Sequence, residues 1–149
     1  MNKNLLINTI GIAVHPLRED APSLAAEMEA FLSESGLKVE CNLLNDGGFR
    51  SKVEEGHYDL LITLGGDGTV LRAGNLCSSS GTPILPVNLG RFGFLSEVVK
   101  TEWREAFSKL LVKDYWVERR MMLKVEHFRD DRKLDEWEFL NDAFIGRGL

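Results

Sequence analysis

Leu60-Leu61-Ile62-Thr63-Leu64-Gly65-Gly66-Asp67-Gly68-Thr69 reads as an apolar strand running into a glycine turn, with a helix leaving it. Glycines in such a turn let a ligand approach the backbone closely. The start of the following helix offers free N–H groups to anions. Asp67 is the odd element, because a carboxylate inside a phosphate-type turn repels phosphate. Its chemistry leaves three tasks open: accepting a bond from a ligand hydroxyl, helping to bind a metal, or taking a proton. A purely structural reading stands beside these, with Asp67 as the cap of the helix.

Outward from this turn the chain alternates. Thr9 to Val14 reads as a buried strand and His15 to Asp20 as a loop. Leu24, Met28, Phe31 and Leu32 then fall on one helical face, and Gly36 ends that helix. Leu37 to Leu43 alternates like a strand, Asn45-Asp46-Gly47-Gly48 is a turn cluster, and Tyr58 to Leu64 is the next strand. Val70 to Leu76 starts a helix, Ser78 to Thr82 is a loop, and Pro83 to Val87 is a short strand. Asn88 to Gly93 forms a second glycine loop. Thr101 to Leu111 has helical spacing through Trp103, Phe107, Leu110 and Leu111, with Thr101 as its expected cap. This order predicts an α/β layered domain with a mainly parallel sheet over residues 1–115.

The pattern changes after Asp114. Trp116 to His127 is long, charged and alternating, Arg129-Asp130-Asp131-Arg132 is a turn, and Trp137 to Ile145 reads as a second strand. Residues 116–149 are therefore expected to begin a β region, too short to bury a core of its own. An apolar strand end without a partner is an edge hazard, so the chain is expected to be truncated or completed by another surface.

The 149 residues fit one domain, and 44% hydrophobic residues suffice for a core. No apolar run approaches the roughly 20 residues of a membrane span, and the N-terminus is a poor signal peptide. The net charge of −5 argues against generic binding to nucleic-acid phosphates. Two cysteines, Cys41 and Cys77, point to reduced thiols and a cytoplasmic setting, and their spacing suggests no metal site.

Two familiar nucleotide motifs are missing. There is no G-x-x-x-x-G-K-[ST] run, and Leu71 stands where the dinucleotide fingerprint has its third glycine. Gly65-Gly66-Asp67-Gly68-Thr69 instead resembles the signature shared by NAD kinases, diacylglycerol and sphingosine kinases and, with Ser for Thr, 6-phosphofructokinases. The flanks select among them. Val70-Leu71-Arg72-Ala73 continues as in NAD kinases, and the Asn-Glu pair usual in the lipid kinases is missing. Asn88-Leu89-Gly90-Arg91-Phe92-Gly93-Phe94-Leu95 resembles the second NAD kinase motif, and Leu140-Asn141-Asp142-Ala143 the third.

The resemblance implies the fold of the NAD kinase N-terminal region, followed by the incomplete start of a C-terminal all-β domain. It implies transfer of the γ-phosphoryl group of ATP, or of polyphosphate, to the 2′-hydroxyl of the adenosine ribose of NAD, giving NADP. Asp67 is then the catalytic residue that accepts the hydroxyl's proton. Gly65, Gly66, Gly68 and Thr69 are implied for ATP phosphates, and Asp67, Gly68, Arg72, Phe94, Asn141 and Asp142 for NAD. Mg²⁺ or another divalent cation would arrive with ATP, with no dedicated protein cage. A homo-oligomer is the family's common state. Two alternatives remain: a nucleotide-binding fragment that is catalytically incomplete, and a lipid or sugar kinase sharing the turn.

Each of these side chains also has a plainer reading. Arg72 could be a solvated helix residue, Phe94 a core aromatic, and Asn141 and Asp142 a polar strand end. His15, before Pro16, is more often a loop or capping histidine than a phosphate ligand. His57 and His127 read as surface residues, Glu118-Arg119-Arg120 as a solvated face, and Trp103 and Phe107 as helix core.

Overall fold

A computed structural model describes residues 6–90 and 93–140 of the chain. It divides into two compact units, one ending at Val117 and the other beginning at Glu118. The first is an α/β layer structure. Its elements are β1 (Thr9–Val14), α1 (Ala21–Glu34), β2 (Lys38–Leu43), α2 (Gly47–Glu54), β3 (Leu60–Gly65), α3 (Asp67–Cys77), β4 (Ile84–Asn88), β5 (Val98–Val99) and α4 (Trp103–Leu111).

The five strands form one parallel sheet in the order β2-β1-β3-β4-β5. β1 is paired from Ile10 against Leu60 to Val14 against Leu64, and β3 from Leu61 against Ile84 to Gly65 against Asn88. Strands covered on both faces need apolar side chains at every position, and all six residues of β3 are buried.

Alternate residues feed two cores. Ile10, Ile12, Val14, Leu60, Ile62 and Leu64 pack with Met28 and Leu32 of α1 and Trp103 and Phe107 of α4. Ala13 and Leu61 pack on the other side with Phe49 and Val53 of α2 and Ala73 and Leu76 of α3. Trp103 and Phe107 are core residues: Phe107 is fully buried and Trp103 meets Phe31 edge-on, with ring centroids 5.5 Å apart. Truncating a side chain buried like Phe107 costs about 3–5 kcal/mol.

Three local readings need correction. The Asn45–Gly48 cluster is more than a turn, because it opens helix α2. Asp46 is its cap, accepting the Phe49 N–H at 2.8 Å. The two glycines hid the helical spacing of Phe49 and Val53. Thr101 does not cap α4; Glu102 holds the cap position and makes no side-chain capping bond. The long strand expected from Trp116 begins only at Leu123.

The second unit is an antiparallel hairpin of β6 (Leu123–Arg129) and β7 (Arg132–Phe139). Asp130 and Asp131 both adopt positive φ at its turn. Along it, Leu123 and Val125 oppose Phe139 and Trp137, while Lys124, Glu126, Lys133 and Glu136 form ion pairs. Lys133 and Lys124 hold the Glu136 carboxyl down at about 2. The later part of the expected second strand, up to Ile145, lies outside the described residues.

Candidate active site

Strand order reverses between β1 and β3: the chain leaves β1 for β2 on one side and returns to β3 on the other. In parallel sheets of this kind, the crevice beyond the carboxyl ends at such a switch is where ligands bind. Three loops converge there. The loop after β1 is tied to β3 by the His15 N–H, which donates to the Leu64 carbonyl at 3.1 Å. The loop after β4 is tied to the glycine turn by the Leu89 N–H, which donates to the Gly65 carbonyl at 3.0 Å.

The turn itself is built by close packing. A Cβ on Gly65 would overlap Thr69 Oγ1 and come within 2.7 Å of its Cβ, so only glycine lets the first turn of α3 fold back over the end of β3. Gly66 is the cap residue of α3 and Asp67 its first helical residue. The capping reading of Asp67 therefore fails: its side chain points away from the helix. Phe94 N–H donates to Asp67 Oδ2 at 2.9 Å and Leu95 N–H to Asp67 Oδ1 at 3.2 Å. A Cβ on Gly93 would overlap Asp67 Oδ1, so this loop can approach the carboxylate only with glycine there.

The expected site residues separate into groups. Asp67 is half-buried, and Gly66 and Gly68 are exposed with open space where a Cβ would be. The N–H groups of Thr69 and Val70 bond the Gly66 carbonyl. Those of Asp67 and Gly68, the first two of α3, have no acceptor among the described residues and are the ones an anion could meet. The Thr69 side chain is buried, 1% exposed, and its hydroxyl has no partner among the described residues. It faces Gly65 rather than the crevice, which does not suit it as a phosphate ligand.

Phe94 is 98% exposed, so it is not a core aromatic. Arg72 is exposed on α3. Asn141 and Asp142 lie outside the described residues, as do Arg91 and Phe92. His15 Nδ1 accepts the Leu17 N–H at 3.1 Å and serves its own loop. Two concavities, of about 370 and 180 Å³, lie away from these loops, around Lys38 and Tyr58 and around Leu37 and Tyr115.

Sequence reasoning missed three charged residues. Arg18 Nε donates to Asp20 Oδ1 at 3.0 Å, and Arg18 Nη2 donates to the Leu89 carbonyl. Lys100 Nζ donates to Asp20 Oδ2 at 3.2 Å. Arg18 and then Lys100 hold the Asp20 carboxyl below the usual range. The available signal was a charged run, Arg18-Glu19-Asp20, in the loop that leaves the carboxyl end of β1. Among the described residues, no three His, Cys, Asp or Glu side chains cluster as a metal site.

Comparison with known proteins agrees with this architecture. Residues 47–115 match the family model of the ATP-NAD kinase N-terminal domain. The NAD kinase of Desulforamulus reducens is 35% identical over 149 residues, covering 95% of this chain and 52% of that protein. That of Treponema denticola is 35% identical over 133 residues, covering 89% and 46%. The chain thus spans about half the length of the curated relatives it matches.

Among solved structures, yeast NADH kinase complexed with NADH superposes with a TM-score of 0.64 at 20% identity, covering 89% of this chain and 46% of that one. An NAD kinase from Archaeoglobus fulgidus in complex with ATP gives 0.53 at 21%, covering 78% and 40%. These two likenesses concern the fold. The family match takes in β3, α3 and both glycine loops, the parts that build the crevice, and residues 47–115 of the chain belong to the ATP-NAD kinase N-terminal domain family.

Proposed function

We propose that the protein carrying this chain transfers the γ-phosphoryl group of ATP to the 2′-hydroxyl of the adenosine ribose of NAD, giving NADP. One observation carries the reading: a half-buried carboxylate, Asp67, opens a helix whose first two N–H groups have no acceptor among the described residues, at the switch point of a parallel sheet. The relatives' names supply the substrates. Asp67 takes the proton of the attacking hydroxyl as the new O–P bond forms and the bond to ADP breaks. Each carboxylate oxygen has a second lone pair, so the bonds from Phe94 and Leu95 leave room for that hydroxyl. The N–H groups of Asp67 and Gly68 meet phosphate oxygens, with Gly66 and Gly68 keeping the approach open and Gly65 letting α3 start close over the end of β3. Phe94, exposed beside Asp67, offers an apolar face to the dinucleotide, and Arg72 a charge to its phosphates.

Asn141 and Asp142 complete the NAD contacts in this reading, and 1–115 and 116–149 are its two domains. Mg²⁺ or a similar cation accompanies ATP and neutralises phosphate charge. Polyphosphate is an alternative donor. No helix among the described residues is long and apolar enough to cross a membrane. Both cysteines are free, and burial pushes their thiols up to about 11 for Cys41 and about 12 for Cys77, consistent with inert reduced thiols in the cytoplasm. We also propose a homo-oligomer, checked by light scattering of the full-length protein.

The test is NADP formation from NAD and ATP by the full-length gene product, with a lipid and sugar substrate panel beside it. Phosphorylation of a lipid or sugar but not NAD would reject the reading. Since the chain spans half of its relatives, a second reading is a nucleotide-binding piece without turnover. Calorimetry of the 149-residue chain with NAD and ATP separates the two.

A further inference from the structure

The loop that brings Gly93, Phe94 and Leu95 to Asp67 leaves β4 at Leu89 and rejoins the sheet at β5. Its two ends are braced by one relay of charges from outside the loop. Arg18 Nη2 holds the Leu89 carbonyl at the entry. Asp20 grips Arg18 through Nε at 3.0 Å and Nη2 at 3.2 Å. Lys100, one residue past β5, donates to Asp20 at 3.2 Å, and its own N–H donates to the Asn88 carbonyl at 3.1 Å.

Asp20 sits at the cap position of α1, where an aspartate ordinarily accepts an N–H from the helix. Here it makes no capping bond. Its carboxylate is committed to Arg18 and Lys100 instead, which a residue serving only the helix would not do.

We propose that Arg18 is a positioning residue, held by Asp20 and Lys100, that sets the loop whose N–H groups meet Asp67. The functional part of this rests on reading Asp67 as the proton acceptor; the loop-setting part does not. Three variants test it: Arg18→Met, Asp20→Ser and Arg18→Lys. Asp20 makes no capping bond that could be lost, so Asp20→Ser removes the brace and leaves the bonding of the α1 start as it is.

Amide hydrogen exchange is the first measurement. Exchange at Phe94 and Leu95 should accelerate by about tenfold or more in Arg18→Met and Asp20→Ser, the scale of one charge-assisted hydrogen bond. Ile62 and Leu64 in the sheet should be unchanged, and Arg18→Lys should recover part of the protection. In the full-length protein, the same two variants should raise KM for NAD more than they lower kcat, with KM for ATP little altered.

Unchanged protection at Phe94 and Leu95 overturns the proposal. So does a loss spread equally through Ile62 and Leu64, which would make Arg18 a general stability residue. If the unaltered full-length protein forms no NADP, the kinase reading fails, while the exchange data still decide the brace.

Discussion

The Asp67 carboxylate accepts the Phe94 N–H at 2.9 Å across 27 residues of sequence, and this bond joins the two glycine loops at the proposed proton acceptor. Replacing Asp67 with Asn keeps an oxygen for Phe94 or Leu95 but removes the proton acceptor. Turnover of NAD to NADP by the full-length protein should fall by about 10²–10⁴-fold, with the circular dichroism spectrum and melting temperature little changed. Normal turnover in this variant would remove Asp67 from the role of base.

Gly93→Ala tests the same junction from the other side. Its Cβ would overlap Asp67 Oδ1 and lie 3.2 Å from Asn88 Nδ2, so the loop must retreat. Gly93 and Leu95 are only half-buried and Phe94 is exposed, so this segment can shift without unpacking the core, and the expected stability loss is small, about 1 kcal/mol. The catalytic loss should be larger than that figure implies, because misplacement by about 1 Å can cost 10²-fold in rate. Steady-state kinetics beside thermal melts compares the two; equal, small effects on both would contradict the close approach.

Gly65→Ala should have the opposite balance. Its Cβ would collide with Thr69, a residue 1% exposed inside the α3–β3 contact, and the overlap involves both Oγ1 and Cβ. An overpacked site of this type costs about 1–3 kcal/mol or more. Thr69→Ser keeps Oγ1 and Cβ, so it should not rescue the alanine variant. Urea melts of the two single variants and the double variant measure this, and full rescue would show that the methyl group was the obstacle.

The alternation of strands and helices was legible because β3 and β4 are short apolar runs bounded by turns, and the glycine turn was legible as a motif. α2 was hidden because Gly47 and Gly48 sit in its first turn, where glycine is read as loop, while the information lay in the Asp46 cap. The Asp67–Phe94 bond was not legible, since pairing across a sheet edge depends on which loops the strand order brings together. The brace through Arg18, Asp20 and Lys100 was invisible for the same reason: Asp20 and Lys100 lie 80 residues apart in sequence. Exposure decided Phe94, whose aromatic ring reads equally well as core until the fold is known.

Acid should loosen the amino end of the sheet through Asp59. Its Oδ2 accepts the Asn8 and Thr9 N–H groups, both at 2.9 Å, and the Thr9 hydroxyl at 2.8 Å, joining the start of β1 to that of β3. Burial pushes this carboxyl up, but the three bonds to its ionised form outweigh that, and it sits below its ordinary 3.8. A carboxyl lowered on folding contributes stability that is complete above the unfolded value and is lost as pH falls through the folded one. Asp59→Asn should therefore destabilise the protein by about 1–2 kcal/mol at neutral pH, the modest end suiting a half-buried group. The gap between variant and parent should shrink as pH drops below about 4. Comparing the two by urea melts across that range cancels the other carboxylates they share; a gap that stays constant into strong acid would show that the ionised form of Asp59 is not what holds these strands.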